Sequence, residues 1–84
     1  MNNQEIDALI ADFFAVKQAI LQLNFILSLI QAEIVRLSEE GNNEEEIDAL
    51  IQDAFVVTQV ILQLTSILVL IQAEIVRLSE ENAA

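Results

Sequence analysis

Apolar residues recur along this 84-residue chain in two runs of alternating steps of three and four. The first run is Ile6, Leu9, Phe13, Val16, Ile20, Leu23, Leu27, Ile30, Ile34 and Leu37, and the second is Ile47, Leu50, Ala54, Val57, Ile61, Leu64, Leu68, Ile71, Ile75 and Leu78. Such steps return a side chain to one face of an α-helix, so each run marks the a and d positions of an unbroken set of heptads. The pattern predicts one helix over about 3–40, a turn over about 41–43 and a second helix over about 44–81.

The residues between the apolar positions support the same elements. Leu, Ile, Ala, Glu and Gln dominate both runs, and neither contains Pro or Gly. Asn2 with Glu5, and Asn43 with Glu46, have the spacing of a capping box, in which an N-cap residue is followed three places later by Glu. Gly41, the one glycine, fits the left-handed position just past the end of the first helix. So short a connection makes the helices, each roughly 55 Å long at a rise of ~1.5 Å per residue, fold back on one another. The predicted fold is all-α: a single antiparallel two-helix hairpin with coiled-coil-like heptads, assembling into a four-helix or larger bundle.

The two runs are also copies of one another. Residues 5–40 align with residues 46–81 at an offset of 41, with 28 of 36 positions identical. Five of the eight differing positions pair large with small: Phe13 with Ala54, Phe25 with Ser66, Ala15 with Val56, Ala19 with Val60 and Ser28 with Val69. Differences of this kind let two near-identical helices pack unequally instead of exchanging places.

A hairpin needs only one apolar seam, yet the outward positions are apolar too. Phe14, Leu21, Phe25 and Leu29 stand at b, c and f positions of the first helix, and Phe55, Val56, Leu62, Val69 and Leu70 at those of the second. Ile10, Ile26, Ile51, Val60 and Ile67 flank them at e and g. Each large apolar side chain left in water forgoes roughly 1.5–3 kcal/mol relative to burial. Surfaces of that kind mark an interface or a lipid-facing wall. The a and d residues are therefore read as the oligomer core, and Phe14, Leu21, Phe25, Leu29, Phe55, Leu62, Val69 and Leu70 as an outer interface for further copies, a homodimer being the smallest solution. Two polar, mostly uncharged stripes separate the apolar faces. One is Lys17, Asn24, Gln31 and Ser38 with Thr58, Thr65, Gln72 and Ser79; the other is Gln18 and Gln22 with Gln59 and Gln63. They either soften the border of the core or hydrogen-bond between helices and fix register.

Composition sharpens this picture. The chain is 55% hydrophobic, yet 14 acidic residues against 3 basic ones give a net charge of -11. The charge is confined to the ends: between Phe13 and Ala32 only Lys17 is ionised, and between Ala54 and Ala73 nothing is. Twenty uncharged residues span ~30 Å of helix, about the hydrocarbon thickness of a bilayer. A membrane-spanning hairpin oligomer, channel- or transporter-like with its Gln, Thr, Ser and Asn stripes facing inward, is thus the alternative to a soluble bundle. Against it stand the absence of Trp and Tyr for interfacial belts and of a Lys/Arg excess at either end. The start, Met1-Asn2-Asn3-Gln4-Glu5, has no basic segment of a signal or transit peptide, and localisation stays open.

Little chemistry is available. Without Cys or His the usual zinc, haem and iron–sulfur ligand sets and thiol or imidazole catalysis are excluded. With only Lys17, Arg36 and Arg77, an acidic chain is expected not to bind nucleic acid. No catalytic residue, cofactor, metal or small-molecule substrate is expected. A desolvated lysine can form a Schiff base, but Lys17 reads first as a surface lysine whose stem covers apolar surface. Asp7, Asp12, Asp48 and Asp53 read as a solvated acidic surface before a cation site.

Near-exact duplication, the unbroken a/d seam, the paired Asn-x-x-Glu starts, the terse Glu40-Gly41-Asn42-Asn43 turn and the repeated IQAEIVRLSEE ends make the whole chain resemble a de novo designed helical bundle. A recent gene duplication gives the same internal identity. The resemblance implies a structural protein whose activity is self-association, with no natural catalytic function. The chain departs from soluble designs in carrying so few Lys and Glu on its outer positions.

Overall fold

The computed structural model describes residues 3–83, so the expected cap at Asn2 lies outside the described residues. The described residues form two helices, α1 (Asn3–Glu40) and α2 (Glu44–Ala83), packed along their length. The hairpin is a rod of 65 × 14 × 12 Å. All the residues of the two heptad runs are half-buried or buried, and they form the contact between α1 and α2. Ala19 and Val60, equivalent g positions on its border, are half-buried as well. Val60 thus belongs to the margin of the seam, not to the outward surface where its apolar character had placed it.

The turn is built from two left-handed residues. Gly41 has φ 80° and Asn42 φ 60°. Glycine has no Cβ to clash in this region, and asparagine is the side-chain-bearing residue that tolerates it best. The Gly41 N–H donates to the Leu37 carbonyl at 3.2 Å, closing α1 with a left-handed cap. The Asn43 carbonyl accepts the Ile47 N–H at 2.9 Å, which makes Asn43 the N-cap of α2. Its side chain serves the other helix: Nδ2 donates to the same Leu37 carbonyl at 3.1 Å. One oxygen with two lone pairs thus ties the end of α1 to the start of α2. At the opposite end of the rod Asn82 Nδ2 donates to Asn3 Oδ1 at 3.1 Å.

Full burial is confined to the two ends. Among the described residues only Leu37, at 4% exposure, and Leu78, at 3%, are buried, and they are equivalent positions of the repeat. Elsewhere a seam residue is covered on one side by the other helix and open on the flanks, which is the limit of what two helices can enclose. The accessible surface is 6145 Å², against about 5,000 Å² for a folded monomer of this mass.

Candidate functional site: the outward faces of the hairpin

Helical periodicity assigns each remaining position to a face. In an antiparallel pair the e positions of both helices border one side of the seam and the g positions border the other. Two grooves show this directly. One, of about 270 Å³, is lined by Leu27, Gln31 and Ile34 of α1 and Ile51, Ala54, Phe55 and Thr58 of α2. The other, of about 690 Å³, is lined by Ile10, Phe13 and Phe14 of α1 and Gln72, Ala73, Ile75 and Val76 of α2. Most of their residues are images of one another under the 41-residue offset: Ile10 and Ile51, Phe13 and Ala54, Phe14 and Phe55, Gln72 and Gln31, Ile75 and Ile34. The repeat therefore gives the hairpin an internal pseudo-twofold axis, and both grooves open on the same e-bordered side.

That side carries the first polar stripe. Three of its hydroxyls are satisfied within their own helix: Thr58 Oγ1 donates to the Ala54 carbonyl and Thr65 Oγ1 to Ile61, each at 2.8 Å. Ser38 Oγ donates to Ile34 at 2.8 Å, and Asn24 Nδ2 to Ile20 at 3.0 Å. Hydrogen bonds across the hairpin are therefore not what these side chains make. A donor four residues along a helix already reaches the preceding turn's carbonyl. Lys17 is exposed, with Nζ 5.7 Å from the centroid of the Phe13 ring, a cation–π approach. Phe13 in turn meets Phe14 edge-on at 6.0 Å.

The outward apolar residues stand in solvent. Phe14, Leu21, Phe25, Leu29, Phe55, Leu62, Val69 and Leu70 are all exposed, from 55% at Leu29 to 68% at Leu70. Val56, Ile10, Ile26, Ile51 and Ile67 join them. Val35 and Val76 belong to the same set. Sequence reasoning missed them because it read the b, c and f positions only in the uncharged middle. The signal was the b-position series that runs from Phe14 through Leu21 to Val35, and from Phe55 through Leu62 and Val69 to Val76. Both helices contain a segment long and apolar enough to cross a membrane, with mean hydropathy 1.6 in α1 and 2.3 in α2, and no residue of either segment is buried inside the hairpin.

The ends are ionic. Arg36 reaches back to Glu33 at 2.6 Å and forward to Glu40, and Arg77 repeats this with Glu74 at 2.6 Å and Glu81. The arginine hydrogen bonds, aided by the positive charge itself, hold the Glu33 and Glu74 carboxyls below their usual range. The same bonds raise both guanidinium pKa values further, with smaller contributions from Glu46 and Glu5 on the facing helix. Each arginine is thus occupied within its own chain. Among the described residues no three Asp or Glu side chains converge on a metal-sized site.

By its fold the protein is an all-α antiparallel helical hairpin. No family model matches the chain, and no curated protein or solved structure matches it either.

Proposed function

We propose that this chain is a structural protein, of designed type, whose activity is self-association into a homo-oligomeric helical bundle. The observation that carries the proposal is the set of fifteen large apolar side chains exposed on the described hairpin, outside a seam that is already paired. A surface of that size is stable only when covered. Copies of the same chain are the natural cover, because the 41-residue repeat presents the same apolar pattern on both helices. Sedimentation in detergent-free buffer tests this: a discrete assembly of several chains supports it, and a stable monomer at micromolar concentration overturns it.

A second reading, the same assembly embedded in a bilayer, is favoured by where the charge lies. In any pairing of two hairpins one outward face stays uncovered. Packing on the e-bordered side leaves Phe25, Ile26, Leu29, Val56, Ile67 and Leu70 outside. Packing on the g-bordered side leaves Phe14, Leu21, Phe55, Leu62 and Val69 outside. The uncovered residues fall mainly within the charge-free stretches of ~30 Å, which match the hydrocarbon thickness of a membrane. Fractionation of expressing cells separates the two media: recovery of the protein only with detergent favours the bilayer, and recovery in the aqueous supernatant favours the soluble bundle.

A further inference from the structure

We propose that a second copy of the chain seats on the e-bordered side of the hairpin, and that the g-bordered side is the one left facing outward. The proposal rests on the self-association reading above and states which side association uses. On each helix the b positions adjoin e and the c positions adjoin g, so b and e belong to one side of the seam and c and g to the other. Nine of the fifteen exposed large apolar residues then lie on the e-bordered side: the b series from Phe14 to Val35 and from Phe55 to Val76, with Ile10 and Ile51. Five, Ile26, Leu29, Val56, Ile67 and Leu70, lie on the g-bordered side, and Phe25 stands between the two at f.

Apolar content alone leaves both sides in need of cover; charge decides between them. At g stand Glu5, Asp12, Glu33 and Glu40 of α1, and the repeat places the same four acids on α2. Arg36 and Arg77, at c, are the cations of that side, and each is engaged by two glutamates of its own helix. Glu46 and Glu5 act on the same two arginines from the facing helix. Eight acids against two occupied arginines leave this side a net charge of -6. On the e-bordered side the acids are Asp7, its image Asp48, and Glu44 at the start of α2, against Lys17, a net charge of -2. Joining two g-bordered sides brings rows of acids within the ~8 Å over which charges still repel at physiological ionic strength. Joining two e-bordered sides keeps those rows apart on opposite outer surfaces.

Shape agrees with charge. Both grooves between α1 and α2 open on the e-bordered side, with Phe14 and Phe55 in their walls. They offer the b side chains of a partner recesses to enter, as knobs enter holes. The Thr58 hydroxyl in the smaller groove already donates within its helix, so covering it strands no donor. A rod of 65 × 14 × 12 Å presents along one side an area comparable to the ~800 Å² per partner that a stable interface buries.

The test compares two charge-matched variants in whichever medium, buffer or detergent, the parent is recovered. Leu21→Glu with Leu62→Glu alters equivalent b positions, and Leu29→Glu with Leu70→Glu equivalent c positions; all four residues are exposed and lie in the uncharged middle. Each variant gains the same two charges. The first should sediment at a mass falling toward one chain while its far-ultraviolet helicity persists, and the second should keep the mass of the parent. Dissociation of the second alone, of both equally, or of neither overturns the choice of side while leaving self-association intact. A parent that sediments as one chain overturns self-association itself. Nitroxide labels give a readout independent of the glutamates, since the chain has no cysteine. In the assembled protein a label at Leu21→Cys should be immobilised and one at Leu29→Cys should stay mobile; the reverse order overturns the proposal.

Discussion

The turn concentrates the conformational demands of the molecule in two residues. Gly41 at φ 80° has open space around it, so a methyl group there meets no atom and the cost of Gly41→Ala is purely backbone strain. That strain is about 1–2 kcal/mol, to be read from the urea midpoint by circular dichroism under conditions where the chain is monomeric. Asn42→Gly should leave the midpoint nearly unchanged, because its φ of 60° is one glycine adopts freely. At the ends, the Glu33 and Glu74 carboxyls titrate below their ordinary value of 4.5. A folded-state pKa below the unfolded one means that the stabilisation is complete above the unfolded value and is lost as pH falls through the folded one. Arg36→Gln should bring the Glu33 midpoint back toward 4.5, as followed by carboxyl carbon chemical shifts, with Glu74 as the unaltered internal reference.

At the scale of the helices, most of the fold was legible in the sequence because one period governs both copies. The heptad spacing located all the seam residues, and Gly41 with its neighbours located the turn. The spacing could not show that Asn43 would turn its side chain back to Leu37. That choice depends on Asn42 also being left-handed, which brings the start of α2 over the end of α1. Nor could it separate Val60 from the exposed Ile67, both g residues, since flank burial depends on local approach of the helices. The outward faces were legible as apolar, but not what covers them, because heptad spacing places a residue on a face without saying what stands opposite it. Core energetics follow burial closely. Leu37→Ala and Leu78→Ala should each destabilise the hairpin by about 2–4 kcal/mol, whereas Leu21→Ala, at an outward position, should change its unfolding midpoint by about 0.5 kcal/mol or less. The Phe13 and Ala54 pair gives a sharper test. Their grooves are images of one another, so exchanging the two residues should leave the helicity of the monomer intact and alter the size or thermal stability of the assembly. Equal oligomer size and thermal unfolding in the exchanged protein would show that the asymmetry is not used between chains.

The whole molecule joins two surfaces that water treats in opposite ways: acidic ends that dissolve and an uncharged middle that does not. The ends set the solubility of the isolated chain, and the middle sets its need for company. Because the seam and the outward faces are formed by different residues, the two properties are separable by mutation. Phe14→Gln together with Phe55→Gln alters equivalent positions of the repeat, 61% and 64% exposed, that lie outside the a and d seam pairing α1 with α2. The doubly substituted chain should therefore keep its helical far-ultraviolet spectrum at low concentration while its sedimenting mass falls toward that of one chain. It should also shift from detergent-requiring to detergent-free recovery if lipid covers this face in the parent. Loss of helicity in step with loss of mass would mean that the hairpin is held together only by its neighbours. The outward residues would then be part of the folding core itself, and association and folding would be a single event.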